Sequence, residues 1–267
     1  MVRSIAVVMM AAACTAGAQT ASSGASGRRP KFDTFEVATI KPSKGDEKGR
    51  FLAMQGTHRF VAQNFTLKLL IAAAYDLNPK TVLGGPGWMD SEHFDIVAIT
   101  PGDVRPIRQE QMTMLRALLT DRFKLTFHRE QKEFSIYELE VAKGGPKLNF
   151  STAAPDDPPA VICTVYPQKV LLPARNATMA DLVAMMQRAM MDRPVVDKTG
   201  LQGRYDFDLE WAPDETQFGG ELPRAPVDAQ AAPLFTAMRD QLGLELKPTR
   251  GPVSTLIVDG AERPAED

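Results

Sequence analysis

The sequence has few of the residues from which catalytic and metal centres are built. Its 267 residues include only two cysteines and three histidines. Cys14 lies in a predicted export signal, so Cys163 has no partner for an internal disulfide, and we interpret it as an idle thiol rather than a nucleophile. His58, His93 and His128 lie far apart and lack the His-Glu-x-x-His spacing of zinc peptidases, although folding could still bring two of them together. We therefore predict no catalytic residue, no metal site and no cofactor.

Charge of one sign, long apolar runs and nucleotide-binding or hydrolase motifs are also missing. The chain has 31 basic and 33 acidic residues, and no basic cluster interleaved with aromatics, which argues against nucleic acid as a partner. No apolar run after the signal approaches membrane-spanning length, so we predict no membrane span once the signal is removed. There is no Gly-x-Ser-x-Gly elbow and no phosphate-binding loop.

The first 18 residues have the features of a signal peptide. Arg3 provides the positive charge, Ile5–Ala13 form a short apolar segment, and Ala16-Gly17-Ala18 form a cleavage site. This pattern predicts an extracytoplasmic protein, either periplasmic or secreted. Cys14 follows three alanines, so a lipoprotein anchored through Cys14 remains an alternative, although the usual leucine of a lipobox is absent.

One pattern of residues occurs twice along the chain. Asn64-Phe65-Thr66-Leu67 and Asn176-Ala177-Thr178-Met179 each open an apolar helical stretch. A glycine-bearing turn and a strand with an aromatic–aspartate pair follow, at Phe94-Asp95 and at Tyr205-Asp206. We predict an α+β fold of tandem duplicated two-layer modules, each ordered strand, helix, strand, helix, strand, strand.

Composition places the module boundaries. The leader is rich in Ser, Ala and Gly, and the linker is rich in Pro and Asp. The long loop of the second module is rich in Pro and Gly. The predicted organisation is a signal peptide at 1–18, a flexible leader at 19–31, a first module at 32–149, a linker at 150–169, a second module at 170–259 with a long loop at 212–232, and a tail at 260–267.

Each module is predicted to end in a helix followed by two strands. In the first module these strands lie at 124–128 and 135–141. In the second they lie at 244–247 and 253–258, separated by a turn at Gly251-Pro252.

Helix ends and faces are also marked in the sequence. Thr66 and Thr178 are predicted N-caps, the latter with a capping box completed by Asp181, and Gly243 is a predicted C-cap. We interpret the methionine-rich stripe of the third helix as core filler, with an adaptable binding groove as the alternative. The stripe comprises Met179, Leu182, Val183, Met186 and Met190.

A strand near residue 208 alternates aromatic or apolar with acidic side chains. Period two places one set on the core and the other on the opposite face. The inward set is Tyr205, Phe207, Leu209 and Trp211, and the outward set is Asp206, Asp208 and Glu210. We favour a solvated strand face over a calcium site or a glycosidase carboxylate pair.

Several blocks resemble a large family of secreted bacterial proteins of unknown function that is expanded in soil bacteria. They include Phe35–Pro42, Gly84–Trp88, Leu118–Leu125, Pro194–Phe207 and Gln241–Leu244. A similar domain is appended to membrane metallopeptidases of the antibiotic-sensor type, and this resemblance implies extracytoplasmic sensing. At coarser grain, each module resembles the short N-terminal domain of secretins and TonB-dependent receptors, an analogy of structure that does not fix function.

These observations predict a non-catalytic binding or docking module that recognises a protein, a peptide or an envelope component. Exposed edges of small sheets can accept a strand from a partner, and the predicted edges are Phe35–Ile40 and Val253–Val258. A rigid loop, Gly84-Gly85-Pro86-Gly87-Trp88, is the predicted partner-binding segment, with Trp88 as its anchor. A hydrolase with a site between the modules and an extracytoplasmic ligand sensor with a closed apolar pocket are the alternatives.

Overall fold

A computed structural model describes residues 29–44, 49–154, 156–166, 168–220 and 230–265. The predicted signal peptide with Cys14, the leader up to residue 28, residues 221–229 of the predicted long loop and the last two residues of the tail lie outside the described residues.

In the ranges that the structure describes, the first half of the chain forms six strands and two helices. In chain order they are β1 (Val37–Pro42), β2 (Phe51–Gln55), β3 (Arg59–Thr66), α1 (Leu67–Ala74), β4 (Val82–Gly84), β5 (His93–Ile99), α2 (Arg108–Arg122) and β6 (Thr126–Val141). Short 3₁₀ turns at Pro79–Thr81 and Gly87–Asp90 flank β4.

The described residues of the second half form seven strands and two helices, and each helix ends in a π-helical turn. The elements are β7 (Asn149–Phe150), β8 (Ala160–Val161), β9 (Thr164–Val165), β10 (Val170–Ala177), α3 (Met179–Met185), β11 (Val195–Asp197), β12 (Tyr205–Trp211), α4 (Leu234–Ala237) and β13 (Leu244–Gly260). The π turns are Met186–Met190 after α3 and Met238–Leu242 after α4.

The strands of the described residues make three sheets, so the predicted mixed α+β class is confirmed. The first sheet is antiparallel with the order β1-β5-β3-β2, and the second has the order β7-β12-β10-β8 with β9 also on β10. The third sheet has the order β11-β6-β13-β4 and contacts elements of both halves. In it, β6 and β13 pair antiparallel along their whole length, while the short strands β11 and β4 pair parallel on either side.

The long strands β6 and β13 each serve two hydrophobic cores. The core of the first half packs α1 and α2 on the first sheet, and it also contains Leu256 and Val258 from the far end of β13. The core of the second half packs α3 and α4 on the second sheet, and it contains Tyr137 and Leu139 from the far end of β6. Each half therefore gives part of its last strand to the core of the other half.

Two predicted strand breaks are wrong. The strands predicted at 124–128 and 135–141 are one strand of 16 residues, and those predicted at 244–247 and 253–258 are one strand of 17 residues. Gly251-Pro252 forms no turn. A Cβ at Gly251 would lie 3.0 Å from Cδ1 of Ile136, so glycine leaves the room in which Ile136 packs across the extended strand. Pro252 has no N–H to donate. This is tolerated because none of the described strands pairs with the outer side of β13 at this position.

The helix predictions are confirmed in detail. The Thr66 hydroxyl accepts a hydrogen bond from Leu69 N, and Thr178 and Asp181 form the predicted capping box. Gly243 ends the fourth helix with φ 64°. The methionine-rich stripe is buried in the core, as its interpretation as core filler requires.

Two bulges occur at corresponding places in the two halves. Asn64 in β3 and Asn176 in β10 have φ values of 58° and 51°, and the pairing register shifts at both. The N–H of Asn64 donates to Asp95, and the N–H of Asn176 donates to Asp206, each at 2.8 Å. These paired features support the tandem repeat, which itself stays a prediction.

The segments predicted as linker and long loop contribute to the second half. Residues 150–169 supply β8 and β9. In the described part of the loop, Gln217 is buried and accepts a hydrogen bond from Trp211 Nε1 at 2.7 Å, while Phe218 stacks on the Trp211 ring. Trp211 is thereby fully enclosed.

Candidate functional site: a cleft between the two halves

The predicted partner-binding loop, Gly84–Trp88, closes over the end of β13. Gly84 and Gly85 have φ values of 72° and 76°. A Cβ at Gly84 would lie 2.8 Å from the carbonyl oxygen of Val258, and one at Gly85 would collide with the sulfur of Met89. The turn is therefore built for close packing against β13, and its glycines are required by backbone conformation.

Trp88 at the end of this loop is partly buried. Its ring lies 6.2 Å from that of Phe94 and 6.5 Å from that of Phe123 between centroids, and the Arg263 guanidinium lies 5.3 Å above it. These contacts give Trp88 a role in packing against the core of the first half. Its role as a partner anchor stays a prediction.

The three histidines have separate surroundings, with His93 and His128 exposed and His58 half-buried. His58 contacts the hydroxyl of Thr57, and His93 contacts the carbonyl of Ser91. Both ring nitrogens of His128 face carboxylates, with Nδ1 2.8 Å from Asp259 and Nε2 3.2 Å from Glu130. These hydrogen bonds raise the pKa of His128. A histidine held in this way has no free nitrogen for general-base work.

Cys163 and the acidic residues of β12 also lie in surroundings that fit a structural role. Burial raises the pKa of the Cys163 thiol to about 11, which disfavours the thiolate. On β12, Asp208 pairs with Arg175 at 2.9 Å and Glu210 with Lys169 at 2.9 Å. The bond from the Asn176 N–H, with one from Ser151, lowers the pKa of Asp206. Within the ranges that the structure describes, no three His, Cys, Asp or Glu residues cluster as metal ligands.

The two predicted sheet edges differ in the structure. β1 is the end strand of the first sheet, as predicted, and Arg122 of α2 donates to its Ala38 carbonyl at 3.4 Å. At the second predicted edge, Leu256–Val258 is already paired with β4, so that half of the segment is not an edge. β4 has only three residues, Val82–Gly84, which is too short to be predicted as a strand from sequence. The sequence therefore predicts Leu256–Val258 as an edge, although these residues pair with β4.

A cleft of about 450 Å³ lies where the two halves meet. Leu69, Asn78 and Lys80 line it from the first half, and Gln187, Arg188 and Glu215 from the second. This volume is in the range of small-molecule sites.

Asn78 ties the two walls of the cleft together. It is 1% exposed, and its side-chain nitrogen donates to the carbonyls of Gln187 at 3.2 Å and Met191 at 3.0 Å. Its side-chain oxygen accepts from Lys80 N at 3.0 Å. Gln187 lies in the π turn after α3 and Met191 directly follows it. Such a turn is a local irregularity that is frequent at functional sites. One buried amide thus fixes the turn of one half against the loop of the other.

Arg188 projects from this π turn, and its side chain is 11% exposed. Its Nη1 lies 3.2 Å from Asp76 Oδ1, and Arg108 Nη2 lies 2.9 Å from the same oxygen. Asp76 follows α1 with φ 51°. Burial first, and then the charge of Arg108, lowers the pKa of Arg188 to about 10. Two guanidiniums therefore share one carboxylate, and one of them belongs to a residue that lines the cleft.

Sequence reasoning missed Arg188 and Asp76. The signal present was one basic residue in the run Met185-Met186-Gln187-Arg188-Ala189-Met190-Met191. Such a residue is expected on the solvent face of an ordinary helix, but the π turn changes the helical phase and turns it toward the cleft.

A family model described as a protein of unknown function, DUF3738, matches residues 68–261. The chain belongs to the DUF3738 family. The match runs from α1 to the end of β13, so the residues that line the cleft in this DUF3738 protein lie within the matched region, apart from Arg50. The predicted resemblance to a domain of unknown function is confirmed at this level. Its expansion in soil bacteria, its occurrence on metallopeptidases and the likeness to the secretin domain stay predictions.

No curated protein and no solved structure matches the DUF3738 chain. In the part of the chain that the structure describes, no helix is long and apolar enough to cross a membrane.

Proposed function

We propose that this protein is a non-catalytic binding protein that takes up its ligand in the cleft between its two halves. The observation that carries this proposal is the cleft itself, which is lined by both halves and includes Arg188, whose side chain is 11% exposed. Burying a cation that shares its bonded carboxylate with another arginine is costly unless further groups compensate its charge. A ligand in the cleft would supply that compensation.

Binding without catalysis is supported by the state of the reactive side chains. His128 has both nitrogens engaged, and burial keeps the Cys163 thiol protonated. The cleft is open and partly polar, which favours reversible recognition over the closed apolar pocket of the sensor alternative. We also propose that binding takes place outside the cytoplasm, on the strength of the signal-like residues 1–18.

Edge-strand docking on β1 and anchoring through Trp88 remain separate proposals for a protein, peptide or envelope partner. The end position of β1 supports the first. The rigid Gly84–Trp88 turn supports the second, although Trp88 already packs against Phe94 and Phe123.

The cleft is tested by filling it. Lys80→Trp and Gln187→Trp each place a large ring at the cleft wall, and Glu133→Trp places the same ring on an exposed part of β6 as a control. Each purified protein is incubated with a cell-and-medium extract and desalted, and the retained small molecules are identified by mass spectrometry. We expect compounds retained by the wild type and the control to fall at least tenfold in both cleft variants. Equal retention by all four proteins, or no retention by any, would overturn the proposal.

A further inference from the structure

The guanidinium of Arg188 has hydrogen-bonding capacity that the protein leaves unused. An arginine has five N–H donors. In the described chain, Nη1 donates to Asp76 and Nη2 approaches only the sulfur of Met185, at 3.7 Å. Sulfur is a weak acceptor, and Nε donates to no atom of the residues that the structure describes. The Nε–Nη2 edge is therefore open on a residue that lines the cleft.

The guanidinium of Arg188 shares its directly bonded carboxylate with a second cation. Arg108 Nη2 and Arg188 Nη1 lie 2.9 and 3.2 Å from the same oxygen of Asp76. Asp181 of α3 also acts electrostatically on Arg188, and its carboxylate accepts a hydrogen bond from the Thr178 hydroxyl at 2.6 Å. On the cleft wall, Asp192 pairs with Arg193 at 3.2 Å. The surroundings of the open edge are therefore mixed in charge, and the edge itself presents N–H donors.

We propose that the Nε–Nη2 edge of Arg188 binds the carboxylate of a small organic ligand in this cleft. This inference rests on the proposed binding function and adds the chemical class of the ligand. A planar carboxylate offers two oxygens that match two parallel N–H donors, and such bidentate pairs are among the stronger hydrogen-bonded contacts. A phosphate dianion would bring a second negative charge close to Asp76, which lies 3.2 Å from Arg188 Nη1.

The test uses matched acids and amides that differ only at the charged group. One pair is hexanoate and hexanamide, and the other is N-acetyl-Ala-Ala as the free acid and as its C-terminal amide, with inorganic phosphate as a third probe. Ligand-observed NMR on the full-length protein measures each affinity. We expect at least one acid to bind at least tenfold more tightly than its amide and than phosphate. The two pairs separate a simple organic acid from a peptide C terminus as the source of the carboxylate.

Four variants assign the effect to Arg188. Arg188→Met should lower the affinity for the acid at least tenfold, and Arg188→Lys should keep an intermediate affinity, because the charge remains and the two-point contact is lost. Asp76→Asn should raise the affinity several-fold, since it removes the competing carboxylate and asparagine accepts the positive φ of this position. A residue with only a structural role would not give that gain. Arg175→Met, an exposed arginine paired with Asp208, is the control and should bind as the wild type does.

The result separates this inference from the proposed function. Acids and amides binding alike, phosphate binding most tightly, or Arg188→Met binding as the wild type does would overturn the carboxylate assignment. The proposed function would stand in those cases if Lys80→Trp and Gln187→Trp still abolish retention of the extract compounds.

Discussion

His128 lies on the exposed face of β6 between Asp259 of β13 and Glu130. Hydrogen bonds to Glu130 and then to Asp259 raise the pKa of His128 above its ordinary 6.5. At the scale of single residues, this histidine fastens the end of one long strand to the other. Its charge state therefore links pH to the stability of the central sheet.

The sign of that linkage follows from the raised pKa. The contribution of His128 is fully present below pH 6.5 and is lost as the pH rises through the folded-state value. We expect NMR titration of the His128 ring to give a pKa above 6.5 in the folded protein. We also expect the stability difference between wild type and His128→Gln to shrink with rising pH in this range. A His128 pKa at or below 6.5 would contradict the ion-pair geometry.

At the scale of elements, the Gly84–Trp88 turn contains its own control. A Cβ at Gly85 meets Met89 and, at 3.0 Å, Val258, and the residue has φ 76°. Gly87 has nothing within 4 Å of its Cβ position and no positive φ. Left-handed backbone costs a non-glycine residue about 1–2 kcal/mol before any clash is counted.

We therefore expect Gly85→Ala to lower the free energy of unfolding by about 2 kcal/mol, the left-handed cost plus the clash with Met89. Gly87→Ala should stay within about 0.5 kcal/mol of the wild type. Urea unfolding measures both. Similar losses for the two variants would show that the turn does not have the tight packing described for Gly85.

The elements also show what could be predicted from the sequence. Helices were predictable because apolar periodicity, the Thr66 and Thr178 caps and Gly243 are local signals that the tertiary structure does not override. The continuity of the long strand β13 was not predictable, because Gly251-Pro252 has the composition of a turn. Only the presence of Ile136 against Gly251 and an unpaired outer side of β13 allow it to remain extended.

The charged residues of the cleft were beyond prediction for a different reason. Arg188, Arg108 and Asp76 come from three separate elements, and they meet only after the halves pack. The π turn that directs Arg188 depends on hydrogen bonds from Asn78 in the other half. No local pattern encodes that contact.

At the scale of the whole molecule, the two halves complete each other. The first core needs Leu256 and Val258 of β13, and the second needs Tyr137 and Leu139 of β6. Burying an aliphatic or aromatic side chain contributes about 1.5–3 kcal/mol each, which is a large share of the stability of a domain of this size. A half without the other would expose these sites and lose the strand that pairs with its short strand β4 or β11.

Cutting the chain between the halves tests this dependence. A protease site inserted in the exposed segment 156–159 allows the folded protein to be cleaved without touching β6 or β13. We expect the two fragments to elute together in size-exclusion chromatography and to keep the near-UV circular dichroism of the intact protein, because the exchanged strands hold them. Each fragment purified alone in denaturant and then diluted should lack that signal, and mixing them should restore it. Fragments that separate in native buffer, or that fold alone, would mean that each half closes its own core and that the cleft joins two independent domains.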